Sequence, residues 1–121
     1  MELKLKQLVI KDIIERDTAV SSDDGEIVFN NIVGCIESGS TAEIDFSGII
    51  IMTTAFLNTA IGQLYSKYTS EQLNTALKLK NVEDEDKILF KKVIERAKEY
   101  IADKKGFEGS ANSALYGSQS I

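Results

Sequence analysis

The sequence contains no histidine. With that residue go the commonest general base, any Ser-His triad and most zinc sites. A single cysteine, Cys35, rules out an intramolecular disulfide and suits a reducing compartment. Long apolar runs are missing as well. The longest, Ile49 to Met52, falls far short of the roughly 20 residues needed to span a bilayer. Positive charge is scarce, with 14 Lys and Arg against 19 Asp and Glu and a net charge of −5. A phosphate-coated partner would be repelled, so nucleic acid is not an expected ligand. The opening "MELKLKQLVIKD" sets Lys4, Lys6 and Lys11 among its apolar residues and offers no small-residue cleavage site, unlike a signal peptide. The expectation is a cytoplasmic chain that uses no membrane, metal or cofactor.

What remains is ordinary globular material: 121 residues, 43% hydrophobic and 27% charged, enough for one domain with a modest core. Two periodicities alternate along it. "LKLKQLVI" begins with strict apolar/polar alternation, predicting a strand with Leu3 and Leu5 on its buried face, and "IIERDTAV" supplies a second short strand. Ser21, Ser22, Asp23 and Asp24 suit a helix N-terminus. Ile27, Val28, Phe29, Ile32, Val33 and Ile36 then recur at helical spacing, and Gly39 is placed to stop that helix. "AEIDFSGIIIM" reads as two short strands around a turn at Ser47 and Gly48. Phe56, Leu57, Ala60, Ile61, Leu64 and Tyr65 form one face of a second helix. "TALKLKNV" restores alternation, and a last helix starts near Glu83 and ends before Gly106, with acids in its first turn and Lys104 and Lys105 at its end. Strands separated by helices predict an α/β fold with a largely parallel sheet, about four strands and three helices. Residues 1–105 are expected to form the domain and 106–121 a small, polar tail.

Most candidate chemistry dissolves on inspection. "GCIESGST" sets Gly34 and Gly39 at the spacing of a phosphate loop, but Ser40 stands where that loop needs lysine, and Gly34 falls within a helix. Cys35 has no histidine to activate it and sits among apolar residues, as a structural thiol does. The acids at Asp23, Asp24 and Glu83 to Asp86 follow no calcium-loop pattern and read as solvated helix starts. Nothing pairs Asp17, Glu43 and Asp45 for acid–base work. An enzyme is not expected. Thr53 and Thr54 are left. One hydroxyl is expected to cap the helix that follows, and a phosphate on the other would place a charge of about −1.5 to −2 where backbone N–H groups converge.

The stretches "AVSSDDG", "IDFSGIIIMTTAFLNTAIGQLY" and "LKNVEDED" together resemble the STAS-like domain family of uncharacterised bacterial proteins, related to the STAS domains of anti-sigma factor antagonists. The resemblance runs from about Leu3 to Ala97. It implies a four- or five-stranded mixed sheet with three to four helices packed mainly on one face. In the antagonists the corresponding segment reads Asp-Ser-Ser/Ala-Gly-Leu, and its first serine is phosphorylated by a kinase with a GHKL-type ATP fold. Matching "IMTTAFL" to that pattern implies Thr54 as phosphoacceptor. The chain departs from it by carrying Thr53 in place of the Asp and Phe56 in place of the Gly. The function so implied is a non-catalytic signalling module that switches protein partners, with Thr53 and Thr54 as contact and Ser21, Ser22 and Asp45 as candidate additional contacts. A GHKL-type ATPase or a second copy of the chain is the expected partner. A separate expectation is a small anion or nucleotide sensed at the helix start after Thr54.

Overall fold

The computed structural model describes residues 4–112, with side-chain surroundings through Tyr100. Strand β1 (Leu5–Val9) pairs in parallel with β3 (Thr41–Asp45), and β3 pairs in parallel with β5 (Leu77–Lys80), giving the order β1-β3-β5. After β1 the chain turns through a short helix, α1 (Ile10–Ile14); after β3 it turns through residues 46–50. The two segments then pair again, as β2 (Thr18–Ala19) beside β4 (Ile51–Met52). The expected single mixed sheet is therefore a three-stranded and a two-stranded sheet, parallel at every described pairing. The split has a local cause. Asp45 folds its carboxylate back onto Ser47, and Gly48 takes the left-handed conformation at φ 82°, so β3 cannot run on into β4.

Register decides which face is covered. Leu8 lies opposite Ile44, and Ile44 opposite Leu79, so Leu8, Ala42 and Ile44 point to one side and are buried there. The opposite face carries Gln7, Glu43, Lys78 and Lys80, with Lys80 Nζ 3.9 Å from Glu43 Oε1. Leu5 falls on that polar side and is 59% exposed. For Leu5 the expected burial is thus reversed, because the pairing of β1 with β3 turns Leu8, not Leu5, toward the core, while Leu3 lies outside the described residues.

Five helices, beyond the three or four expected, and one 3-10 turn complete the described chain. Helix α2 (Ser22–Glu37) buries Val28, Ile32 and Cys35 at helical spacing against β1 and β3, and Gly39 (φ 85°) ends it. Helix α3 (Thr54–Ala60) passes into the 3-10 turn Gly62–Ser66, and together they carry the predicted stripe. Phe56, Leu57, Ala60 and Leu64 on it are fully buried, each larger side chain contributing about 1.5–3 kcal/mol. The sequence reading did not distinguish α4 (Ser70–Ala76), which opens on a capping box between Thr69 and Gln72. Helix α5 (Asp84–Asn112) buries Phe90 and Val93 and continues past Gly106, where an end was expected. Lys104 and Lys105 therefore lie within it rather than at its last turn. Residues 113–121 of the expected tail lie outside the described residues.

Candidate functional site

The β2–β4 pair delivers two helix starts side by side. Thr53 leaves β4 extended (φ −118°, ψ 161°), its N–H bonded to Ala19 O. Its hydroxyl accepts from Phe56 N at 3.3 Å, capping α3, and donates to Val20 O at 2.8 Å across the strand pair. The single donor of that hydroxyl and one of its two lone pairs are spent inside the fold. Thr54 is the first residue of α3, half-buried, and among the described residues its hydroxyl makes no side-chain hydrogen bond. A parallel arrangement opens α2. Ser21 caps it by accepting from Asp24 N at 3.1 Å, and Ser22 is its first, exposed residue. The Thr53–Val20 bond ties the two starts together. The structure thus gathers four of the five predicted residues and divides their work: Thr53 and Ser21 cap, Thr54 and Ser22 stay available.

Helices α2 and α3 cross tightly below this edge. A Cβ on Gly25 would lie 2.7 Å from Phe56 O and 2.9 Å from Thr59 Cβ, so only glycine lets the backbones approach this closely. Around the paired starts, branched aliphatic side chains remain in solvent. Ile50 is 71% exposed, Ile51 52% and Val20 39%. The sequence reading placed these positions in short strands without assigning them a face. "GIII" did hold a signal, since consecutive residues of a strand point to opposite sides and three in a row cannot share one core.

Asp45 belongs to a different place. Its carboxylate, 7% exposed, accepts from Gln7 Nε2 (3.1 Å), Asn81 Nδ2 (2.9 Å), Ser47 N (2.9 Å) and Ser47 Oγ (2.8 Å). The Asn81 amide, then the Ser47 N–H, hold its pKa below the usual carboxylate range. These bonds lead to β1 and to the turns after β3 and β5, not to the threonine edge, so Asp45 works as a knot at the carboxyl ends of the strands. Asp24 also departs from expectation. It is buried rather than solvated, with Oδ2 3.5 Å from Arg16 Nη1, near enough to attract but not aligned as a hydrogen bond. Burial pushes the Cys35 thiol up, away from thiolate reactivity. Gly34 lies inside α2, where no phosphate loop can form.

The STAS-like domain of unknown function (DUF4325) matches residues 24–87. The chain belongs to this STAS-like family. The match holds the Asp45 knot, the Gly48 turn, β4, both threonines and the Phe56-Leu57 opening of α3, within the longer Leu3–Ala97 stretch of resemblance. Neither a curated protein nor a solved structure matches the chain. For the STAS-like domain, the anion-sensing expectation meets an obstacle. Helix α3 has only seven residues, and Thr53 already occupies the N–H groups of Phe56 and Leu57 through its hydroxyl and its carbonyl. Only the first N–H groups of a short helix remain for a ligand. No helix among the described residues is long and apolar enough to cross a membrane.

Proposed function

We propose that this STAS-like domain is a non-catalytic cytoplasmic regulatory module that binds another protein through the paired helix starts. The contact comprises Thr53, Thr54, Ser21 and Ser22 with the exposed Val20, Ile50 and Ile51, and phosphorylation of Thr54 by a GHKL-type kinase switches it. The division of labour between the threonines carries this reading: Thr53 is consumed by capping and by its bond to Val20, which leaves Thr54 as the hydroxyl a kinase could use without unpicking the fold. A phosphate there stands at the first residue of a helix, where negative charge is favoured by up to about 1 kcal/mol. It would also add a charge of about −1.5 to −2 beside an aliphatic surface, enough to change what docks.

The test pairs the chain with a GHKL-type kinase encoded beside it, followed by mass spectrometry of the product. Modification should fall on Thr54 and disappear in Thr54→Ser only if the kinase demands threonine, but always in Thr54→Ala. An unmodified chain, together with partner binding that is the same in Thr54→Glu, removes the switch and leaves the binding surface to be judged on its own.

A further inference from the structure

We infer that the threonine edge docks a partner protein whose face has an aliphatic centre and a margin of lysine and arginine; this rests on the edge being a protein-binding surface. From Phe46 to Ser66 the sequence carries no charged side chain, in a chain that is 27% charged. Burial explains only part of that run. Phe46, Ile49, Met52, Phe56, Leu57, Ala60, Ile61 and Leu64 fill the core, yet Ser47, Ile50, Ile51, Ala55 and Asn58 reach solvent. Solvated positions free of charge, with aliphatic side chains among them, are the composition of an interface centre.

Beside Ile50 and Ile51, on the α1 and α2 side, the margin of this surface is mostly acidic. Asn58, at the far end of the run, instead lies in a groove with Arg96 of α5. Asp17 lies alongside through its carbonyl, which accepts from Ile50 N at 2.8 Å. Asp23 stands in the first turn of α2, and Glu26 reaches the far side, where its carboxylate accepts from Gln63 Nε2 at 3.2 Å. Next to Ile50's partner residue, a groove of about 470 Å3 is lined by Lys11, Asp12, Glu15, Arg16 and Asp17. Of its two bases, Arg16 is turned toward Asp24 and the Ile14 carbonyl, while Lys11 lies over Gly48. Asp12, Glu15, Asp17 and Asp23 are all exposed, so carboxylates outnumber bases on this side of the rim. A basic margin on the partner complements it and speeds encounter. A second copy would bring the same acidic margin against this one, each chain carrying a net charge of −5.

The full chain, immobilised, is panned against a displayed library of random peptides, and the binders are measured in solution. Selected peptides should place aliphatic residues between lysines or arginines and bind the Ile50→Ser/Ile51→Ser variant at least about tenfold more weakly. Asp17→Asn/Asp23→Asn should weaken them severalfold and flatten their salt dependence. Leu5→Ser, on the polar face of the other sheet, should leave them unchanged. Peptides that need Ile50 and Ile51 but are neutral or acidic, or ignore salt, overturn the basic partner while the binding surface stands. Peptides indifferent to Ile50→Ser/Ile51→Ser, or no binders at all, overturn both. A dimer in sedimentation that this double variant disperses makes a second copy the occupant and also overturns the proposal.

Discussion

Thr53 and Thr54 are chemically identical neighbours with opposite duties. Thr53 closes a cap and a cross-strand bond, so Thr53→Ala should cost about 1–2 kcal/mol in urea unfolding. Thr54→Ala should stay within about 0.5 kcal/mol, since only a half-buried hydroxyl without a side-chain hydrogen bond among the described residues is lost. Equal effects would contradict the assignment. Asp45 makes a second contrast, because four donors converge on it and neither threonine is among them. Removing it in Asp45→Ala strands those donors at a cost of about 2–3 kcal/mol at neutral pH. Its folded pKa is depressed, so this stabilisation is present above the ordinary carboxylate value and is lost as pH falls through the folded one. Wild-type and Asp45→Asn stabilities should therefore converge below about pH 4. The sequence marked the pair of hydroxyls and the lone strand-end acid. It held no sign of which hydroxyl would be spent, because that depended on Val20 arriving across the β2–β4 pair.

At the scale of elements, the α2–α3 crossing depends on one missing side chain. Alanine is worth about 1 kcal/mol more than glycine within a helix, but at Gly25 its Cβ would strike Phe56 O and Thr59 Cβ. Gly25→Ala should lower stability by about 1–3 kcal/mol, and a stabilised variant would show that the helices can part freely. A second join lies at the other end of α2, where Tyr68 donates its hydroxyl to Glu37 Oε2 at 2.5 Å. Burial, then the hydrogen bond and charge of Glu37, push the tyrosine up to about 12. Its contribution is present below the ordinary tyrosine value of about 10 and fades as pH rises toward 12. Between those values wild-type stability should drop more steeply than that of Tyr68→Phe, as followed by chemical unfolding at each pH. Of these elements, α2 and the α3 stripe were readable from apolar spacing. Helix α4 was missed, although the Thr69-to-Gln72 box marks its start. Helix α1 was not readable, because "IKDII" fits a strand as well as a five-residue helix, and only the turn between two strand pairings settles it.

At the scale of the molecule, α5 completes the core from the opposite end of the chain. Phe90 sets its ring edge-on to Phe46, with centroids 5.1 Å apart and planes at 85°. Through Phe46 it packs on the residue that begins the turn after β3, so the last helix supports the segment leading to the threonines. Phe90→Ala should cost about 3–5 kcal/mol, a loss visible as a single cooperative transition at lower denaturant. The two ends of the strand pairs then have separate roles. Asp45 ties turns together at the close of the three-stranded sheet, and the β2–β4 pair beyond it presents an uncharged surface flanked by the acids of α1 and α2.

The sequence by itself determined what is local: the alternation of strand and helix, the stop at Gly39, the turn at Ser47 and Gly48, and a helix opening just after the paired threonines. Each follows from side-chain spacing or from a backbone conformation that one residue type accepts easily. Only the tertiary structure decided which face of β1 is buried, that the strands divide into two sheets, and that Ile50 and Ile51 remain in water beside an idle threonine. Those outcomes depend on register and on which segments meet across the chain, and a pairing between residues far apart in sequence leaves no trace in the spacing of either partner.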